Sequence, residues 1–66
     1  MDKERIEKNL KELLGFKFSD LRTYERLYQE ERMQHNDHDI MWHRRAEECQ
    51  NAILGIIDDL ISLYKD

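Results

Sequence analysis

The chain has 66 residues, and its 15 acidic residues outnumber 11 basic ones to give a formal net charge of −4. This length predicts one small domain over residues 1–66, which on its own is only marginally stable. There is no proline, no valine and a single threonine, which argues against a β-sheet. No apolar run approaches the roughly 18 residues that a membrane span needs, so we expect no membrane segment.

The first predicted helix covers residues 2–14. Asp2 is a suitable N-cap, because its carboxylate can accept a hydrogen bond from a free backbone N–H group of the first turn. Apolar residues follow at helical spacing, at Ile6, Leu10, Leu13 and Leu14. Gly15 stands where a left-handed C-cap belongs, and in this interpretation Phe16 closes back on Leu10. We therefore predict that this helix ends at Gly15.

A second helix is predicted over 19–34, after a short connector in which Phe16 and Phe18 are apolar anchors. Ser19 is its N-cap, and its apolar stripe consists of Leu21, Tyr24, Leu27 and Tyr28. The stripe stops after Tyr28, and Asn36 and Asp37 are typical turn residues, so we place a chain reversal there. Neither Gly nor Pro marks this reversal, so one continuous helix over 19–65 stays open as an alternative.

The third predicted helix, over 38–65, has the strongest pattern in the chain. Its apolar residues repeat at alternating spacings of four and three, which is the seam of a coiled coil. The seam consists of Trp42, Ala46, Cys49, Ile53, Ile56, Leu60 and Leu63. Further apolar residues flank its C-terminal half, at Leu54, Ile57, Ile61 and Tyr64.

The predicted fold is therefore all-α, a three-helix broken hairpin with a long C-terminal helix. The two shorter helices together form one arm, because neither alone is as long as the third. Part of the apolar surface over residues 53–64 stays uncovered in this arrangement, and a soluble monomer rarely leaves such a surface open. We therefore expect a homodimer that forms a helical bundle, with an interface made of Ile53, Ile56, Ile57, Leu60, Ile61, Leu63 and Tyr64.

Three histidines near the reversal suggest an alternative function. His35, His38 and His43 lie among carboxylates, and imidazole with carboxylate is a ligand set for Zn²⁺ or a similar divalent metal. No spacing typical of a known metal motif is present, so a polar hairpin tip explains the cluster better. A divalent-metal-binding bundle is kept as an alternative, and the main prediction includes neither metal nor cofactor.

A nucleic-acid-binding helical protein is the other alternative, through Arg22, Arg26, Arg44 and Arg45. The net acidic charge and the acidic third helix make it unlikely. Catalysis is not expected either. The single cysteine, Cys49, occupies a seam position, where a thiol is ordinary core, and no activated nucleophile is visible.

The function predicted from these observations is protein binding, by a small non-enzymatic regulator, inhibitor or adaptor acting through helical surfaces. Trp42 and Met33 near the polar tip, with Arg44 and Arg45 beside them, have the composition of a binding hot spot. We therefore predict Met33, Trp42, Arg44 and Arg45 as the partner-binding residues. A lone cysteine indicates a cytoplasmic location, and the residue usage is compatible with a bacterial or phage genome.

Overall fold

The computed structural model describes residues 2–35 and 37–65. In these residues the chain forms two helices, α1 (Lys3–Met33) and α2 (Asp39–Tyr64), packed side by side as an antiparallel hairpin measuring 51 × 16 × 12 Å. The predicted all-α class is confirmed, and the alternative of one helix over 19–65 is wrong. Neither helix carries a stretch long and apolar enough to cross a lipid bilayer.

The inner side of α2 is the predicted seam. Its most buried residues are Ala46, Cys49, Ile53 and Ile56, each no more than 7% exposed, and they are the only described residues that are buried to this degree. Trp42, Leu60 and Leu63 continue the seam with partial burial. The Trp42 ring stacks on Tyr24 of α1 at a centroid distance of 5.9 Å, and the Cys49 thiol donates to the Lys17 carbonyl at 3.0 Å. The helices therefore meet along one narrow line.

The first arm is one continuous helix, so the predicted break at Gly15 is wrong. Asp2 does cap α1, accepting a hydrogen bond from the Arg5 N–H group, but the helix then runs for 31 residues without interruption. Gly15 lacks the positive φ of a left-handed C-cap. Ser19, predicted as an N-cap, lies inside the helix, where its carbonyl accepts a hydrogen bond from the Thr23 hydroxyl.

Packing against α2 explains why α1 does not break. A glycine inside a helix costs only about 1 kcal/mol relative to alanine, and side chains on both sides of Gly15 pack against α2. The half-buried residues of α1 repeat at spacings of four and three straight through this region, at Leu10, Leu14, Lys17, Leu21, Tyr24, Tyr28 and Glu31. Because Lys17 is polar, it interrupts the apolar pattern, so the repeat is not recognised from apolar residues alone.

The predicted connector is part of the helix, and its two aromatic anchors are largely exposed. Phe16 is 69% exposed and Phe18 is 47% exposed, so Phe16 does not close back on Leu10. Their positions two residues apart in a helix turn them toward different sides of the hairpin. They therefore add apolar area to the surface instead of fixing a turn.

The chain reverses between the end of α1 and the start of α2. His35 has a left-handed φ of 57°, and its N–H group donates to the Arg32 carbonyl, as expected just beyond a helix C-terminus. His38 begins α2 without a side-chain cap, and the Asp39 carboxylate instead accepts a hydrogen bond from the Ile40 N–H group. Of the two residues predicted to make the reversal, Asp37 lies in this turn and Asn36 lies outside the described residues.

Substitution of Gly15 by alanine tests the continuity of α1. A Cβ atom at Gly15 meets no other atom within 4 Å, so we expect Gly15→Ala to raise the free energy of unfolding by about 0.5–1 kcal/mol. Gly55→Ala is the matched control, because Gly55 lies inside α2 with equally open surroundings. Urea unfolding followed by helical circular dichroism measures both. If Gly15→Ala lowers the free energy of unfolding while Gly55→Ala raises it, α1 is not a continuous helix through Gly15.

Candidate functional site

One broad side of the hairpin, which we call face 1, carries a second apolar stripe of α2. A shallow groove between the helices opens on this side near the tip, lined by Glu25, Gln29, His43, Glu47 and Gln50 among others. Residues that are seven positions apart lie on the same side of a packed helix. From the residues that line the groove, such steps lead to Phe18 on α1 and to Leu54, Ile57, Ile61 and Tyr64 on α2.

On α2, face 1 is therefore divided into a polar half and an apolar half, whereas on α1 its open end carries charged side chains. The half near the tip holds charged and amide side chains, including the Glu47 carboxylate, which lies 3.2 Å from His43 Nε2. The half near the open end holds large apolar side chains that remain exposed, with Leu54 at 59% and Ile61 at 48%. The seam residues beneath Leu54 and Ile61 already pack between the two helices, so these two side chains lie outside the core of the hairpin.

The opposite broad side, face 2, is less apolar. Its groove is lined by Lys17, Asp20, Arg45 and Glu48, with Tyr24 and Cys49 beneath. A step of seven from Asp20 leads to Leu13, which is 43% exposed, and Phe16 lies three residues beyond it. On α2 the same steps lead to Ala52 and Gly55, so α2 contributes little apolar area to this side.

The tip is the third candidate surface, and it contains the predicted partner-binding residues. Met33 is 79% exposed at the end of α1, and Ile40 is 68% exposed at the start of α2. Trp42 is partly buried against Tyr24, with the Arg45 guanidinium 6.0 Å from its ring centre, a cation–π distance. Trp42 therefore packs beneath the tip, where Met33 and Ile40 are the exposed apolar side chains, and Arg44 is exposed on α2.

The predicted dimer-interface residues fall into two groups. Ile53 and Ile56 are each 6% exposed between α1 and α2, and Leu60 and Leu63 are half-buried in the same seam, so these four pack within one chain. Ile57, Ile61 and Tyr64 lie on face 1 and remain accessible to a partner to different degrees. Leu54 and Phe18 belong with them. The sequence indicates that Leu54 lies on face 1, because it is seven residues from Ile61. Phe18 was not assigned to this face because it was predicted to lie in a connector.

The histidines near the tip do not converge on a common point. No group of three or more His, Cys, Asp or Glu residues within 2–35 and 37–65 is arranged to hold a metal ion. His43 pairs with Glu47, and its ring lies tilted by 42° to the Tyr28 ring at a centroid distance of 5.5 Å. His38 Nδ1 lies 4.0 Å from Glu31 Oε2, beyond hydrogen-bond distance. The metal-binding alternative therefore gains no support from the geometry.

The four arginines of the nucleic-acid alternative are dispersed. Arg22 is one step of seven from Gln29 on face 1, whereas Arg45 lines the groove of face 2. Arg26 Nε lies 4.0 Å from Glu30 Oε1 on the same helix. A phosphate backbone needs basic side chains on one side, so no specific observation favours this function.

Cys49 has the environment of a core thiol. It is 6% exposed, and burial raises the pKa of its thiol, which disfavours the reactive thiolate. Its hydrogen bond to the Lys17 carbonyl gives it a structural role at the helix contact.

A polar cluster closes the open end of the hairpin. The Tyr64 hydroxyl donates to Glu7 Oε1, and the Lys11 ammonium lies 2.8 Å from the same oxygen. These bonds, first with Lys11 and then with Tyr64, lower the pKa of the Glu7 carboxyl. The bond with Glu7 likewise raises the pKa of Lys11 and of Tyr64. The end of α2 is therefore attached to the start of α1 by a charge-assisted contact.

Removing the Tyr64 hydroxyl tests this contact through its pH dependence. The lowered Glu7 pKa stabilises the fold above the unfolded pKa of Glu, and this contribution disappears as pH falls through the folded value. The raised Tyr64 pKa stabilises the fold below the unfolded pKa of Tyr, and that contribution disappears as pH rises through the folded value. We expect Tyr64→Phe to destabilise the hairpin most between about pH 5 and about pH 9.

Denaturant unfolding across this pH range measures the difference from the wild-type chain. Tyr28→Phe is the matched control, because the Tyr28 hydroxyl accepts its hydrogen bond from the Arg32 guanidinium. If both variants show the same pH profile, the Glu7–Tyr64 contact does not exist in solution.

Comparisons with known proteins give no relative. The chain matches no protein-family model, and neither a curated protein nor a solved structure matches it.

Proposed function

We propose that this chain is a small non-enzymatic regulator or adaptor that binds other proteins through helical surfaces. The observation that supports this most directly is the apolar surface left outside a completed seam. Nine large apolar side chains of the described residues are exposed, on face 1, on face 2 and at the tip. Contiguous exposed apolar area on a soluble chain marks interaction sites, because its burial by a partner is favourable.

The tip is the proposed site for a different protein. Met33 and Ile40 supply apolar contacts, and Trp42 holds the base of the tip against Tyr24. The exposed Arg44 and Arg45 add charge-assisted hydrogen bonds, which favours a partner with an apolar patch bordered by carboxylates. Exposed apolar side chains with an aromatic residue beneath them and arginines nearby have the composition of an interaction hot spot.

Face 1 is the proposed surface for self-association. Its apolar half offers Leu54, Ile57, Ile61 and Tyr64 from α2 together with Phe18 from α1. The two-helix hairpin leaves no residue of α1 fully buried among those described, so association with another helical pair adds the second packed layer that the fold lacks. A homodimeric helical bundle meets this need. We place the protein in the cytoplasm, because its one thiol is free.

Comparative affinity capture with tagged variants tests the tip site. We expect Met33→Asp to reduce the recovery of a specific partner about tenfold, because a charge replaces an apolar contact at the centre of the site. Phe16→Asp is the matched control, since it introduces the same charge at an exposed apolar residue of face 2. Circular dichroism verifies that both variants keep the helical fold.

The expected outcome is a protein that is recovered at near-equal amounts by the wild-type chain and by Phe16→Asp and is lost with Met33→Asp. Equal recovery of every protein by Met33→Asp and by the wild-type chain rules out the tip as a partner site.

A further inference from the structure

We propose that a second copy of this chain covers the open end of face 1, related by a two-fold axis that crosses both helices between Ile57 and Ile61, so that the two tips point in opposite directions. This inference rests on the self-association in the proposed function and adds the arrangement of the two copies. The positions of particular apolar and charged side chains on face 1 support it.

The apolar stripe of face 1 needs the same stripe of the partner to cover it. At the open end α1 carries Glu4, Lys8 and Lys11 on this face, so the exposed apolar stripe there belongs to α2. If α2 lay over the partner's α1, Leu54 and Ile61 would cover these charged groups, which would lose hydrogen bonds to water. An axis that crosses both helices avoids this cost, because each helix then lies antiparallel over the same helix of the partner.

The stripe of α2 is self-complementary about a single height. Leu54 and Tyr64 lie five residues on either side of Asp59, and Ile57 and Ile61 lie two residues on either side of it. An axis at the height of Asp59 therefore places Ile57 on the partner's Ile61 and Leu54 on the partner's Tyr64. All four apolar side chains of each copy are then covered by apolar side chains of the other, which is favourable.

The register of the hairpin shows which part of α1 lies at this height. The Cys49 thiol bonds to the Lys17 carbonyl, so these two residues lie level with each other, and the aromatic stack near the tip gives the same register. The helices are antiparallel, so ten residues further toward the open end Glu7 of α1 lies level with Asp59 of α2. The proposed axis therefore crosses α1 close to Glu7.

Two charged side chains of α1 are complementary about the same axis. Glu4 and Lys11 lie on face 1, three residues before and four residues after Glu7. The axis therefore brings Glu4 of each copy close to the partner's Lys11, which makes two ion pairs of opposite charge. Lys11 already binds Glu7 at 2.8 Å, but an ammonium group has three donors and can bind both carboxylates. Lys8 lies beside the axis, with Glu4 one turn earlier on its own helix to balance its charge.

The polar half of face 1 stays in water in this arrangement. The two copies overlap over about 20 Å at the open end, so Glu25, Gln29 and Glu47 extend beyond the partner. An axis that ran along α2 would instead set Glu47 against the partner's Glu47. Because the overlap covers less than half of the 51 Å hairpin, the interface is smaller than the standard size, and we expect a weak, reversible dimer.

The arrangement makes the dimer a bridge between two partner molecules. Met33 lies 26 residues from Glu7 along α1, so the two tips are roughly 80 Å apart at 1.5 Å per residue. Each copy presents Met33 and Ile40 at its own end of the dimer. Two tips that point in opposite directions suit two separate partner molecules better than two neighbouring sites on one molecule.

Pulsed electron paramagnetic resonance on spin-labelled protein tests the arrangement. Arg44→Cys places one label on the exposed side of α2, in a Cys49→Ala background that removes the native thiol. Arg44 lies 15 residues from Asp59, so we expect an inter-label distance of roughly 40–50 Å. A distance below about 30 Å, as expected for tips at the same end, overturns the arrangement and leaves self-association standing. The absence of any dipolar coupling at high protein concentration overturns both.

Charge reversal in the otherwise native chain provides an independent measurement that leaves Cys49 in place. We expect Glu4→Lys to weaken the dimer about threefold to tenfold in Kd, because both ion pairs with Lys11 become repulsive. Glu12→Lys is the matched control. It makes the same charge change midway between the seam residues Leu10 and Leu14, which places it on the opposite side of α1, and it leaves the dimer Kd unchanged. Equal dimer Kd values for the two variants overturn the proposed register.

Discussion

The single seam between α1 and α2 determines which side chains of the hairpin are buried and which remain exposed. Two helices packed side by side bury one stripe each, and here that stripe is centred on Ala46, Cys49, Ile53 and Ile56. The register of the seam is fixed by stacking of Tyr24 on Trp42 and by the Glu7–Tyr64 contact at the open end. Whatever apolar surface lies outside the seam remains in water until a partner covers it, and α2 carries a second stripe of this kind.

Much of the fold follows from the spacing of apolar residues. The seam of α2 was predictable because seven apolar residues repeat without interruption, and α2 differs from the predicted helix by one residue at each end. α1 was predicted as two helices because Gly15 and Ser19 are typical of helix ends. Those residues have only weak local preferences, and packing of Leu14, Lys17 and Leu21 along α2 outweighs them. Lys17 hides the repeat, since a polar residue in a seam contributes its aliphatic stem and its backbone carbonyl.

The exposed apolar surfaces were harder to predict than the helices. An apolar residue on α2 belongs either to the seam or to face 1. Neighbouring residues can differ in this respect, since Ile56 lies in the seam and Ile57 lies on face 1. The spacing identified both stripes, but which of them is buried in the hairpin core and which stays exposed depends on how far α1 extends. Because α1 covers the whole of α2, Ile53 and Ile56 pack within the chain, and Leu54 and Ile61 remain exposed.

The mass of the chain in solution tests the central claim most directly, namely that the exposed stripe of α2 is covered by a second copy. Light scattering over a range of concentrations is predicted to give twice the monomer mass for the wild-type chain. Ile61→Asp is predicted to give the monomer mass while keeping its helical signal, whereas Asn51→Asp, which adds a charge on the outer edge of α2, is predicted to stay dimeric. A wild-type chain that remains monomeric at the highest concentration contradicts the account.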